Sequence, residues 1–150
     1  MIESLHAADH VEILLIDDSP TDVLMTREAL AFHDVRHPLR VAKDGVTAMQ
    51  YLRREGQYHG APLPNLIILD LNLPCKSGLE VLMEVKADAE LSMIPVVVLT
   101  TSTADDDIEK SYRLNANCYI TKPADFTAYT DVIHTIDEFW LRVAKLPAVT

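Results

Sequence analysis

The apolar residues of this chain fall into three runs that show no alternation. Val11 to Ile16, Asn65 to Leu69 and Pro95 to Leu99 are apolar on both faces, which suits strands in the middle of a parallel sheet covered by helices on each side. Leu39-Arg40-Val41-Ala42 alternates instead, predicting a strand nearer an edge, and Cys118-Tyr119-Ile120-Thr121 is a short further strand. Between the strands the apolar spacing changes to that of helices. Ser19-Pro20 opens one, as N-cap and first helical residue, with Asp22 near the positive end of its dipole and Val23, Leu24, Arg27 and Leu30 continuing it. Asp44-Gly45 caps a second with Val46, Met49 and Leu52 as its apolar face, and Gly56 to Pro64 is a turn-rich loop. Ser77-Gly78-Leu79-Glu80 has the spacing of a capping box before Leu79, Leu82, Met83 and Lys86. Ser102 to Asn115 forms a fourth helix with Ile108, Tyr112 and Leu114 apolar, and Phe126, Tyr129, Val132, Ile133, Ile136, Trp140 and Val143 describe one long amphipathic helix that Pro147 ends.

Strands alternating with helices predict an α/β fold, a doubly wound, five-stranded parallel sheet in the flavodoxin-like order with helices on both faces. Residues 1–10 read as a lead-in, 11–143 as one domain and 144–150 as a tail.

The ends of the strands carry the chemistry, because ligands of such sheets gather outside the carboxyl ends. The first run stops at Asp17-Asp18, the second at Asp70, the third at Thr100-Thr101-Ser102, and the last at Lys122-Pro123. Strand order brings Asp17, Asp18 and Asp70 together, and close like charges resist ionisation unless a cation joins them. Oxygen donors without imidazole or thiolate suit a hard ion such as Mg²⁺, held by Asp18, Asp70 and a backbone carbonyl near Asn72. Lys122 and Thr100 can then neutralise or hydrogen-bond the oxygens of a phosphoryl group on a carboxylate, although Lys122 could simply pair with an acid and Thr100 simply cap a helix. The sharp turn at Lys122-Pro123 predicts a cis peptide bond there. Asp105, Asp106 and Asp107 complement a helix dipole or form a second metal site, while His33, His37 and His59 read as solvent-exposed.

Composition narrows the partners. With 23 acidic and 13 basic residues the net charge is −10, which disfavours direct binding to nucleic acid. Cys75 and Cys118 are too few for a disulfide framework or a zinc site, and reduced thiols favour the cytoplasm. No basic segment precedes an apolar stretch at the N-terminus, and no run approaches the ~20 apolar residues that span a bilayer, so a soluble protein without a membrane partner is expected.

Taken together, Asp17-Asp18, Asp70-Leu71-Asn72-Leu73-Pro74 with Gly78, Thr100, and Lys122-Pro123 resemble the receiver domain of bacterial two-component response regulators, from about Val11 to Val143, which leaves no room for an output domain. Asn65 to Pro74, Ile94 to Ser102 and Phe139-Trp140-Leu141 further resemble the phytochrome-associated group. This resemblance implies that Asp70 takes phosphate from the histidine of a kinase, of phytochrome type. It also implies that Asp17 and Asp18 organise Mg²⁺, that Thr100 and Lys122 bind phosphoryl oxygens, and that Thr100 and Tyr119 form the switch. Thr101, where many receivers carry a smaller residue, and Asn72, at a variable position, are departures that bear on the lifetime of the phosphorylated state. A homodimer through the last helix is expected, since Phe139 and Trp140 point about 100° apart on a helix and cannot both face the core equally. Two other classes compete. A Mg²⁺-dependent phosphohydrolase with Asp70 as nucleophile would need a general acid two positions on, where Asn72 cannot serve. A flavodoxin-like nucleotide or flavin binder would need a phosphate loop where Asp17-Asp18-Ser19-Pro20 stands.

Overall fold

The computed structural model describes residues 11–33 and 38–148. The expected lead-in and the histidine-bearing break around His37 lie outside these residues, and His59 is exposed as expected. Five strands, β1 (Ile13–Ile16), β2 (Leu39–Ala42), β3 (Leu66–Leu69), β4 (Val96–Thr100) and β5 (Cys118–Thr121), alternate with α1 (Pro20–His33), α2 (Gly45–Leu52), α3 (Gly78–Ala87), α4 (Asp105–Arg113) and α5 (Phe126–Ile136). All pairings are parallel and the order is β2-β1-β3-β4-β5, the predicted doubly wound arrangement. β1, β3 and β4 are buried throughout, as their unbroken apolar runs require, and β2 and β5 are the half-exposed edges.

Alternation along the strands divides the interior in two. Leu14 and Ile16, Ile67 and Leu69, and Val96 and Val98 pack with Ala48, Met49 and Leu52 of α2 and Val81, Leu82 and Val85 of α3. Ile13 and Leu15, Leu66 and Ile68, and Val97 and Leu99 pack on the opposite face with Ala29 and Leu30 of α1 and Tyr129, Ile133 and Ile136 of α5. Tyr119 of β5 joins the first group, while Cys118 and Ile120 join the second.

The predicted caps form. Asp44 accepts from the Thr47 N–H at 2.7 Å, and Ser77 and Glu80 exchange both bonds of the capping box. Both expected apolar faces hold in part. Met49 and Leu52 of α2 are buried as expected, but Val46 is exposed and Ala48 and Tyr51 are buried beside them, with the Tyr51 hydroxyl donating to Pro62 O at 3.0 Å. In α1, Leu30 is buried and Val23 packs partly on the core, whereas Leu24 is exposed and Thr26 and Ala29 turn inward.

The last helix is not one regular element. After Ile136 the chain continues as a π-helix, Asp137–Val143, in which Arg142 Nε donates to Asp137 Oδ2 five residues back at 3.2 Å and Ala144 N to Phe139 O at 2.7 Å. The wider turn keeps Asp137 and Leu141 buried, leaves Phe139 exposed and lets Trp140 pack partly on the core. The packed body extends beyond Val143: Leu146 is buried, and Pro147 O accepts from Asn65 Nδ2 at 3.4 Å while Asn65 Oδ1 accepts from the Glu12 N–H at 2.9 Å. The described peptide bonds are all trans, so the expected cis bond before Pro123 is corrected. The Lys122 N–H bonds Thr100 O at 2.6 Å, which keeps the backbone on the sheet, and the long side chain alone covers the distance to the acids.

Tyr129 gives a pH-dependent prediction. It is fully buried, its hydroxyl lies 3.2 Å from Thr26 Oγ1, and burial pushes its phenol up to about 12. A raised tyrosine favours the protonated fold, so stability is intact below the unfolded value of about 10 and should fall by ~2–3 kcal/mol as pH rises through 12. Denaturant midpoints measured across this alkaline range should drop in the wild type and stay flatter in Tyr129→Phe, and ultraviolet titration should lose the last phenolate signal in that variant.

Candidate functional site

Asp17, Asp70 and Lys122 each sit one residue beyond a strand, where the ladder still holds the backbone, and Thr100 is the last residue of β4. Asp17 N donates to Ala42 O at 3.0 Å and Asp70 N to Ile16 O at 2.9 Å, so Asp17 and Asp70 keep the alternation of their strands. Asp17, Asp70 and Lys122 therefore share the parity of the face covered by α1 and α5, whereas Thr100 and Tyr119 share that of the opposite face.

Lys122 is the centre of the crevice. Its ammonium donates to Asp17 Oδ2 at 2.9 Å, Asp70 Oδ2 at 2.8 Å and Asp22 Oδ2 at 2.7 Å, and it is buried together with Asp17 and Asp70. Burial alone would push Lys122 down, but its hydrogen bonds to Asp22, Asp70 and Asp17 outweigh this and hold the ammonium well above the ordinary lysine range. Burial pushes the Asp17 carboxyl up, against the pull of Lys122 and of the Ser19 N–H, which donates to Asp17 Oδ1 at 2.9 Å. The remaining Asp70 oxygen, Oδ1, accepts from Asn72 N at 3.0 Å.

Asp18 is exposed and completes the acid group: oxygens of Asp17, Asp18 and Asp70 all lie within 4.8 Å of one another. An all-oxygen set of this size fits a hard divalent cation. A single ammonium against the four carboxylates, Asp22 included, leaves the crevice strongly negative, so the donor set has unmet demand for positive charge. Asp105, Asp106 and Asp107 are not part of this group. Asp106 pairs with Lys110 at 3.0 Å and Asp107 Oδ2 accepts from Ser102 Oγ at 2.6 Å.

The other predicted residues surround the acids. Thr100 is fully buried at the end of β4, and the Asn72 side-chain amide points to Thr100 Oγ1 at 3.5 Å and Thr101 Oγ1 at 3.4 Å. Tyr119 lies farther along that face, its hydroxyl donating to Ser102 O at 2.9 Å and its N–H donating to Tyr112 Oη at 3.1 Å. Asp22 is the site residue that sequence reasoning missed. Its place in the first turn after β1 was explained by the helix dipole alone, yet that same place sets the side chain beside the strand ends.

Over residues 13–134 the chain matches the family model for the response regulator receiver domain. It is 46% identical over 136 residues to response regulator Rcp1 of Synechocystis sp., across 91% of this chain and 92% of that protein. Its fold matches the solved structure of the phosphorylated cyanobacterial phytochrome response regulator RcpA with a TM-score of 0.91 at 50% identity, covering 93% of this chain and 99% of that one. The Mn²⁺-bound form of Rcp1 gives a TM-score of 0.89 at 45% identity, with 92% and 99% covered.

The site depends on a close approach at Gly78. A Cβ there would stand 2.3 Å from Asp70 O and 2.5 Å from Leu71 Cα, both backbone atoms that cannot yield without moving Asp70. Gly78→Ala should cost ~1–3 kcal/mol in denaturant unfolding, the range of overpacked sites. Gly60→Ala, where a Cβ meets nothing within 4 Å, should stay within about 0.5 kcal/mol.

Proposed function

We propose, since this chain belongs to the family of response regulator receiver domains, that it accepts a phosphoryl group from a histidine kinase on Asp70 and signals by the resulting change of conformation. One observation carries the assignment to Asp70: its carboxylate closes the central strand, is buried, and is shared between Lys122 and the oxygen cluster. In the transfer, the N–P bond of a phosphohistidine breaks as an Asp70 oxygen forms the new O–P bond, and the histidine nitrogen keeps the electron pair. Lys122 would meet the phosphoryl oxygens from the α1 side and Thr100 from the other. Asp17, Asp18, Asp70 and the carbonyl of Asn72 would hold Mg²⁺, which when bound offsets negative charge gathering on those oxygens.

Asn72 cannot serve as a general acid and base, so the domain would take one phosphoryl group and lose it only by its own dephosphorylation, rather than turning over phosphate esters as an aspartate-nucleophile phosphohydrolase would. Thr100 drawn towards the phosphoryl group would loosen the segment whose Ser102 carbonyl holds the Tyr119 hydroxyl, and that pair forms the switch. RcpA is a phytochrome response regulator, which supports a phytochrome-type kinase as the phosphoryl donor. Among the described residues no helix is long and apolar enough to cross a membrane.

Wild-type protein given acetyl phosphate or phosphorylated kinase should take label at Asp70 with magnesium and lose it with chelator. Asp70→Asn should take none. Magnesium should also raise the melting temperature by mass action, and Asp18→Ala should blunt the rise; strong labelling of Asp70→Asn at another carboxylate would refute the assignment.

A homodimer is the natural signalling form. Phe139 is 50% and Val143 67% exposed, and they flank a shallow apolar depression shared with His134 and Thr135. Light scattering over a concentration series should give twice the chain mass, and Phe139→Ala should weaken association by about 2 kcal/mol if it is a central anchor.

A further inference from the structure

A lysine ammonium has three protons to donate, and Lys122 places one on each of three carboxylates. The three acceptors differ in their other duties. Asp17 and Asp70 belong with Asp18 to the oxygen cluster, whereas Asp22 stands outside it. Asp22 is also the most accessible of the three, its side chain 21% exposed against 1% and 7% for Asp17 and Asp70. Its turn of helix is fastened independently. Thr26 Oγ1 donates to Asp22 O at 2.8 Å, which leaves the Tyr129 hydroxyl, 3.2 Å away, to donate to Thr26 Oγ1 and tie the turn to α5.

We infer that Asp22 is a positioning residue: it anchors the Lys122 ammonium on the α1 side of the crevice, leaving oxygens of Asp17 and Asp70 available to a divalent cation. An ammonium and a dication compete for the same two carboxylates and repel each other. Asp22 gives the ammonium a partner that the dication does not use. Without its charge, Lys122 rests wholly on Asp17 and Asp70, and the crevice also has one negative charge fewer. Both changes oppose the cation. This role rests on the reading of Asp70 as phosphoacceptor only for its consequence in phosphorylation; its effect on metal binding stands apart.

The test uses the full chain with Asp22→Asn, which keeps the shape and removes the charge, and Asp22→Glu, which keeps the charge. Calorimetric titration with magnesium chloride, without any phosphodonor, should show affinity about tenfold weaker in Asp22→Asn, the lower end of what outer partners of metal ligands contribute. Asp22→Glu should recover most of it. The magnesium concentration giving half-maximal labelling by acetyl phosphate should rise in parallel, and added magnesium should recover the labelling. In nuclear magnetic resonance, the Lys122 ammonium protons should exchange with water faster in Asp22→Asn, a change that a purely helix-starting role would not produce. Unchanged magnesium affinity in Asp22→Asn, or Asp22→Glu as weak as Asp22→Asn, would overturn the role. A wild type that binds magnesium but takes no label would refute the phosphoacceptor reading instead, and the calorimetric result would still decide for or against Asp22.

Discussion

One buried ammonium sets the terms for this molecule. Removing an isolated charge from water is unfavourable by several kcal/mol, so Lys122 is tolerated inside only because carboxylates meet all of its protons. Those carboxylates come from the ends of β1 and β3 and from the first turn of α1, and the lysine from the end of β5. Three stretches far apart in sequence, Asp17 to Asp22, Asp70 and Lys122, must therefore finish within a few ångströms of one another. β5 lies beyond β4 from β3, so the lysine side chain passes the end of β4, where Thr100 stands. A short acid at that position could not bridge the gap; a long, flexible cation can.

The two cores make such accuracy possible. Because β1, β3 and β4 are covered on both sides, any shift of a strand would disturb two packed faces at once, and Leu71 just past Asp70 is itself buried in the face formed with α2 and α3. Close packing of Gly78 against the Asp70 carbonyl extends that rigidity into the loop. Glu84 adds a polar tie by pairing with Lys76 in the same loop and with Arg53 at the end of α2, and its hydrogen bond from Lys76 draws its carboxyl below the ordinary range.

Much of this was legible in the sequence, and the exceptions have physical causes. Continuous apolar runs identified β1, β3 and β4 because burial on both faces permits little else, and the alternation of Leu39 to Ala42 marked the edge. Caps at Asp44 and Ser77 depend on local hydrogen bonds and so were readable. The convergence of Asp17, Asp18 and Asp70 followed from strand order. Asp22 was not read as a site residue, because a dipole explanation sufficed locally and its partner is 100 residues away. The π-helix escaped because a 3.6-residue period was assumed across Ile136, whereas Asp137 and Arg142 pair at a spacing of five. Leu24 and Val46 show that apolar character does not assign a face when neighbours such as Thr26 and Tyr51 can bury a body and still satisfy a hydroxyl.

The shared parity of Asp17, Asp70 and Lys122 bears on how such a chain can vary in length. A side chain's face reverses with each residue along a strand. Deleting or inserting a single residue within β5 would swing Lys122 to the face of Thr100 and Tyr119 and leave the acids without their cation, whereas a two-residue change would keep its facing. Lineages descended from this sequence should therefore gather their insertions and deletions in the loops at the amino ends of the strands, far from the acids. Within the strands, single-residue changes of length should be avoided.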